Sequence, residues 1–223
     1  MKLPKSAGLL LCLALAACST QEFGKKEAAA KPVKAPPAAV TNAWLDAYEP
    51  KVKEAIAGSA FEFERKDNVL LVTAPADSTF NPDRPTMLMP NTLGPLSRLA
   101  KLVEHDPKVG VLILGHADSS GSLASNQKLS IERAGSVTAI FRLSGLQNDR
   151  LSRKGVGIDM PRAANDSPEG RALNRRVEIL LTRQDTLAAM LAKYSVPAPA
   201  VKTAVAKAAT DKAKSKTTLA KNP

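Results

Sequence analysis

The chain has 223 residues, room for one domain of ordinary size plus extra segments and too few for two large ones. With 44% apolar and 24% charged residues it is neither a membrane bundle nor a disordered chain, and at 4% aromatic its core must be mostly aliphatic. A net charge of +11 first suggests a nucleic-acid or membrane-surface binder, yet residues 41–195 hold 20 basic against 18 acidic side chains, so no basic face is required there.

The excess charge sits at the two ends. Lys2 and Lys5 precede an apolar run from Ala7 to Ala17, eleven residues long. A membrane span needs about 20, so the run suits a secretory signal instead. No later stretch approaches that length. The run ends in Leu15-Ala16-Ala17-Cys18, which resembles the bacterial lipobox. That resemblance implies a signal peptide over 1–17 and a mature chain opening at Cys18, with acyl chains such as palmitate on its thiol and amino group. Each buried methylene adds about 0.8 kcal/mol, so several chains anchor stably where one would be marginal. Ser19, rather than Asp, after the cysteine favours the outer membrane, with the domain facing the periplasm. Cys12 lies in the removed segment, which leaves no thiol pair and no Cys-based metal site.

Residues 18–40 are rich in Ala, Lys and Pro without apolar periodicity and read as an extended tether. Residues 41–60 read as a short helical extension: Trp44, Leu45 and Tyr48 precede Pro50, and Val52 and Ile56 follow it, which places an amphipathic helix near 50–57. The folded domain is expected over 61–195. Phe61-Glu-Phe-Glu alternates, Asn68-Val-Leu-Leu-Val-Thr is a buried-strand run, and Lys66-Asp67-Asn68 joins them as a hairpin. A Pro-rich loop (Pro75, Pro82, Pro85) leads to a helix over about 92–105, with Leu93, Leu96, Leu99, Leu102 and Val103 at three- and four-residue spacings. A central strand over 108–115 and a long helix over 126–143 follow. A shorter strand over 150–157, a helical turn over 167–174, a last strand over 176–181 and a C-terminal helix over 185–193 complete the domain. The pattern predicts an α+β fold: one mixed β-sheet with two long helices packed on one face. The Lys-rich residues 196–223 read as a basic disordered tail, or as a polycation for anionic lipid headgroups or wall polymer.

Within 111–181 stand Gly115-His116-Ala117-Asp118, Gly121, Asn126, Leu129-Ser130, Arg133-Ala134, Val137, Gly155-Val-Gly157, Pro161, Asn165, Glu169-Gly170-Arg171 and Asn174-Arg175-Arg176-Val177-Glu178. At these spacings they resemble the OmpA-like peptidoglycan-binding domain, of the outer-membrane lipoprotein type. The resemblance implies that family's βαβαβ sandwich. Thr79-Phe80-Asn81 resembles the segment that opens the family's domain.

The residues also speak for themselves. Asp118 follows a strand apolar enough to be buried, which puts it in a loop at the sheet's C-terminal edge. Asn126, Ser130 and Arg133 are four and three apart on the next helix and share one stripe. A carboxylate and a guanidinium facing one pocket complement a zwitterion: Asp118 can pair with an ammonium and Arg133 can clamp a carboxylate. The diaminopimelate of a peptidoglycan stem peptide carries such a pair. The resemblance implies this role, with Asp118 and Arg133 as principal ligands, Asn126 and Arg175 as helpers, and the Ala117–Asp118 backbone lining the pocket. Asp83 is a further rim candidate. Each residue also has a structural reading: an Asp118–Arg133 pair across the fold, an Arg176–Glu178 pair at a strand edge, Arg171 fixing its loop, and bends at Gly155 and Gly157.

These readings converge on a non-catalytic, wall-binding lipoprotein that tethers the outer membrane through acylated Cys18. The alternative is an envelope protein-interaction or regulatory lipoprotein that uses the same domain as a wall anchor, with Trp44 and Tyr48 docking an envelope partner or covering the sheet. No cofactor or metal is called for. An enzyme would need a tuned acid/base set or a nucleophile, and His116 beside Asp118 is the one conceivable dyad. Nucleic acid is disfavoured by the balanced core and the secretion signal.

Overall fold

The structure is a computed structural model and describes residues 38–195. The signal peptide, Cys18, most of the tether and the basic tail lie outside the described residues. Five strands form one sheet in the order β1-β2-β5-β3-β4. They are β1 (Glu62–Lys66), β2 (Val69–Pro75), β3 (Val109–His116), β4 (Leu151–Gly157) and β5 (Arg176–Arg183). β3 and β4 are parallel and every other neighbouring pair is antiparallel, so the sheet is mixed, as expected. The β1–β2 hairpin turns at Asp67, whose φ of 41° is the left-handed value a tight turn needs.

Helices α3 (Pro90–Glu104) and α4 (Leu123–Leu143) cover one face. Pro at the start of α3 costs no hydrogen bond there, and Ser122 caps α4 by accepting from Ser125 N. The buried stripe of α3 is Leu96, Leu99, Ala100 and Val103, and that of α4 is Ala134, Val137 and Phe141. Both pack on Val72, Val111, Ile113, Val177, Ile179 and Leu181 of the sheet. Arg150 closes the C-terminal end of α3, its guanidinium donating to the carbonyls of Val103, Glu104 and Asp106.

Three features depart from the sequence reading. First, α1 runs over Ala38–Ile56, beginning in the stretch assigned to the tether and passing straight through Pro50. An interior proline costs about 3 kcal/mol. Leu45, Tyr48, Val52 and Ile56 repay it by burying one continuous face in the main core. Tyr48 donates to Asp106 Oδ2 at 2.6 Å and stacks on Trp44, so these aromatics are built into the fold and Tyr48 is not available to a docking partner. Second, the loop after β2 contains a one-turn helix, α2 (Ala76–Thr79). Third, α6 (Gln184–Ser195) lies on the opposite face, where Leu187 joins Leu71, Leu112, Leu114 and Leu180, with Met190, Leu191 and Tyr194 packed around them. The sheet is thus covered on both sides, which explains the unbroken apolar run of β3.

Candidate functional site

Sheet register brings the charged residues together. The end of β2 lies beside the start of β5, with Pro75 opposite Arg176 and Ala76 N donating to Arg175 O at 2.8 Å. The end of β3 lies on the other side of β5, with Gly115 opposite Val177. Asp77 on α2, Asp118 in the β3–α4 loop and Arg175 between α5 (Pro168–Asn174) and β5 therefore meet where the ends of β2 and β3 flank the start of β5.

Arg175 links the two carboxylates. Its Nε and Nη2 donate to Asp77 Oδ1 and Oδ2 at 2.9 and 2.6 Å, and its Nη1 donates to Asp118 Oδ2 at 2.9 Å. The other oxygen of Asp118 accepts from Ser120 N at 2.9 Å. Burial works to raise the Asp118 carboxyl, but Arg175 and the Ser120 N–H outweigh it and hold the group below the usual carboxylate range. The bidentate bond from Arg175 likewise holds Asp77 down, and Arg175 is more firmly protonated than usual, chiefly through Asp77.

Arg133 comes from α4. Its Nε donates to Pro85 O at 2.9 Å, and its guanidinium lies over the Phe80 ring, 5.4 Å from the centroid. The residue is only 7% exposed, and its Nη1 has no hydrogen-bond partner among the described residues. Burial pulls its pKa down, against the charges of Asp77 and Asp118. A buried guanidinium N–H without an acceptor is costly and calls for an explanation.

The remaining candidates hold this arrangement in place. Asn126 donates from Nδ2 to Asp118 O and Ser120 O, at 3.1 and 2.8 Å, which fixes the loop that aims Asp118. Ala117 N donates to Gly157 O, and Ser130 Oγ accepts from Gly157 N. Asn165 Oδ1 accepts from Ser119 N and Asn174 Nδ2, tying the loop before α5 to the site, and Arg171 donates to Asn165 O.

The structure places Asp118, Asn126, Ala117 and Arg175 close together, and Arg133 lies in the field of the two acids. Asp118 pairs with Arg175, not Arg133, so the simple cross-fold pair is not formed. Asp83 is exposed, its N–H held by Asn81 Oδ1, and the acid that this part of the chain delivers to the cluster is Asp77. The sequence signal for Asp77 was its place two residues past the β2 run, legible only once β2 is paired with β5. Arg176 and Glu178 do pair, at 2.7 Å, but on β5 in the sheet interior rather than at an edge. His116 faces Glu178, 3.4 Å away on the α6 side, so it forms no dyad with Asp118. Among the described residues no His, Cys, Asp and Glu group is placed to hold a metal ion.

Residues 79–175 match the OmpA family. The chain carries an OmpA-family domain. Asp118, Asn126, Arg133 and Arg175 all fall inside that match. The chain is 32% identical to the "Probable lipoprotein YiaD" of Escherichia coli over 139 residues, covering 62% of this chain and 63% of that one. It is 38% identical to the peptidoglycan-binding protein ArfA of Mycobacterium tuberculosis over 94 residues, covering 42% of this chain and 29% of ArfA. The alignment thus spans less than two thirds of either relative. The periplasmic domain of Helicobacter pylori MotB shares the fold of this OmpA-family domain, with a TM-score of 0.51 at 23% identity over 61% of this chain and 90% of that one. No helix among the described residues is long and apolar enough to cross a membrane.

Proposed function

We propose that the OmpA-family domain is a non-catalytic binder of peptidoglycan that grips the zwitterionic end of diaminopimelate in the stem peptide. The observation that carries this reading is Arg133: a buried guanidinium, held by Pro85 O and the Phe80 ring, with an unused N–H. Because that N–H is buried, a ligand carboxylate supplies the missing acceptor by displacing what covers Arg133, and the ligand ammonium pairs with Asp118. Asn126 and the Ala117–Asp118 backbone shape the loop, and Arg175 balances its charge. The peptidoglycan-binding name of ArfA supports the same ligand class. With the lipobox at Cys18, and a relative named as a lipoprotein, the chain tethers the outer membrane to the wall from the periplasmic side.

The test is co-sedimentation of the full-length protein, in detergent, with purified sacculi. Asp118→Ala and Arg133→Ala should each weaken retention tenfold or more, the loss expected when a charge-assisted hydrogen bond of about 1.5–3 kcal/mol is removed. Thermal melts confirm that both variants fold. Retention equal to the unaltered protein refutes the assignment. Titration with stem peptides carrying diaminopimelate or lysine tests the finer claim, because lysine lacks the carboxylate that Arg133 requires.

A further inference from the structure

Asp77 has no part in the reading above, yet its position is tightly specified. The backbone bond from Ala76 N to Arg175 O fixes α2 beside the start of β5, and both carboxylate oxygens of Asp77 accept from Arg175. That guanidinium reaches Asp118 with its third bond, at 2.9 Å. A cation lying directly on Asp118 opposes the approach of a second cation, so by itself Arg175 would spoil the carboxylate as a partner for an ammonium. Asp77 supplies the opposite charge on the outer side of the same guanidinium. The four groups then comprise two acids, Asp77 and Asp118, and two guanidiniums, Arg133 and Arg175. Their formal charge is zero, like that of an amino-acid head group.

We propose that Asp77 sets the charge specificity of this pocket: by neutralising Arg175 it leaves Asp118 able to hold an ammonium, so that the site takes a zwitterionic head group in preference to a plain carboxylate. The proposal rests on the reading of the Asp118–Arg133 pocket as a head-group site and adds the residue that decides which head group enters. Asp77 acts through Arg175 and is a positioning residue. Its side chain is 57% exposed, so part of its effect is screened by solvent and by salt.

Diaminopimelate and pimelate test this, since pimelate is the same seven-carbon dicarboxylate without the two amino groups. Calorimetric titration of the full-length protein in detergent should show Asp77→Asn binding diaminopimelate about five- to tenfold more weakly. Its pimelate affinity should hold or rise, because the site has gained a net positive charge. Asp77→Glu, which restores the charge, should recover most of the preference. An equal loss for both ligands would make Asp77 merely structural and overturn the proposal, as would a diaminopimelate-to-pimelate ratio unchanged in Asp77→Asn. The parent reading fails separately: if the unaltered protein does not prefer diaminopimelate to pimelate, or if Asp118→Ala leaves that preference intact, the head-group site itself is wrong. Raised salt should shrink the difference between Asp77→Asn and the unaltered protein.

Discussion

Replacing Gly115 with alanine should be among the most damaging single-methyl additions in this molecule. A Cβ at Gly115 would lie 1.9 Å from the carbonyl oxygen of Ser130 and 2.7 Å from its carbonyl carbon, both in the backbone of α4. Real Cβ contacts essentially never fall below 3.0 Å, so helix and strand must separate by more than about 1 Å. The same helix is seated close over Gly155, the cross-strand partner of Gly115 on β4. A Cβ there would meet Ile131 N and Ser130 Oγ at 2.5 Å. Overpacking costs about 1–3 kcal/mol, and a rigid backbone obstacle places Gly115→Ala near the top of that range. For a domain of this size, about 3 kcal/mol corresponds to a fall in Tm of roughly 6–12 °C. Gly121→Ala serves as the control: its φ of 80° is unfavourable for alanine, but nothing lies within 4 Å of the added carbon. It should cost only about 1 kcal/mol. Urea titration and thermal melts of both variants decide the matter. If Gly115→Ala is no more harmful than Gly121→Ala, the close seating of α4 on the two glycines is wrong. Because Arg133 lies one turn beyond Ser130, wall binding should also weaken in Gly115→Ala.

Two further predictions concern buried hydrogen bonds. Tyr48→Phe removes the 2.6 Å bond to Asp106 and should cost about 1.5–2 kcal/mol in urea unfolding at neutral pH. Burial and Asp106 raise the phenol above its ordinary pKa of 10.0, so the contribution is complete below pH 10 and disappears only above it; a gap between variant and parent that closes between pH 7 and 9 would contradict this. Burial works to raise the Glu178 carboxyl, but its contacts with His116 and Arg176 outweigh this and lower it from 4.5 to about 2. Burial lowers His116 below its ordinary 6.5, so above that pH Arg176 is the charged partner of Glu178. The carboxylate's stabilisation is lost as the pH falls from 4.5 toward 2, an effect of about 3 kcal/mol at most. Glu178→Gln should therefore show a shallower acid limb in stability against pH, and an unchanged limb would refute the pairing.

Much of the fold is legible because local signals and burial agree. The hairpin at Asp67, the periodic stripe of α3 and the apolar run of β3 all follow from composition and spacing. What escapes is decided by contacts distant in sequence. Pro50 reads as a helix start, but the face carrying Leu45, Tyr48, Val52 and Ile56 docks as one surface and the helix runs through it. The position of α6 depends on the far face of the sheet, and no local pattern in residues 184–195 says which face it will choose. At the site, Asp118, Asn126 and Arg133 are visible in one stretch of chain, a strand end followed by a helix stripe. Asp77 is not, because it reaches Arg175 across 98 positions and only the antiparallel pairing of β2 with β5 supplies that proximity. For the same reason Arg175, expected as a helper, proves to be the link between two acids.

The seating of α1 bears on how the domain would take mechanical traction. A chain held from its N-terminal side delivers any pull first to α1, which grips α3 through apolar contacts and through Arg98, whose guanidinium donates to the carbonyls of Ala55 and Ala57. Tyr48 ties the helix to Asp106, and Arg65 on β1 clasps Asp46 and Glu49. The pull is thus spread along a helix lying across its neighbour instead of unzipping the hairpin strand by strand. For a pull applied at residue 38, those contacts of α1 lie between the point of loading and the sheet.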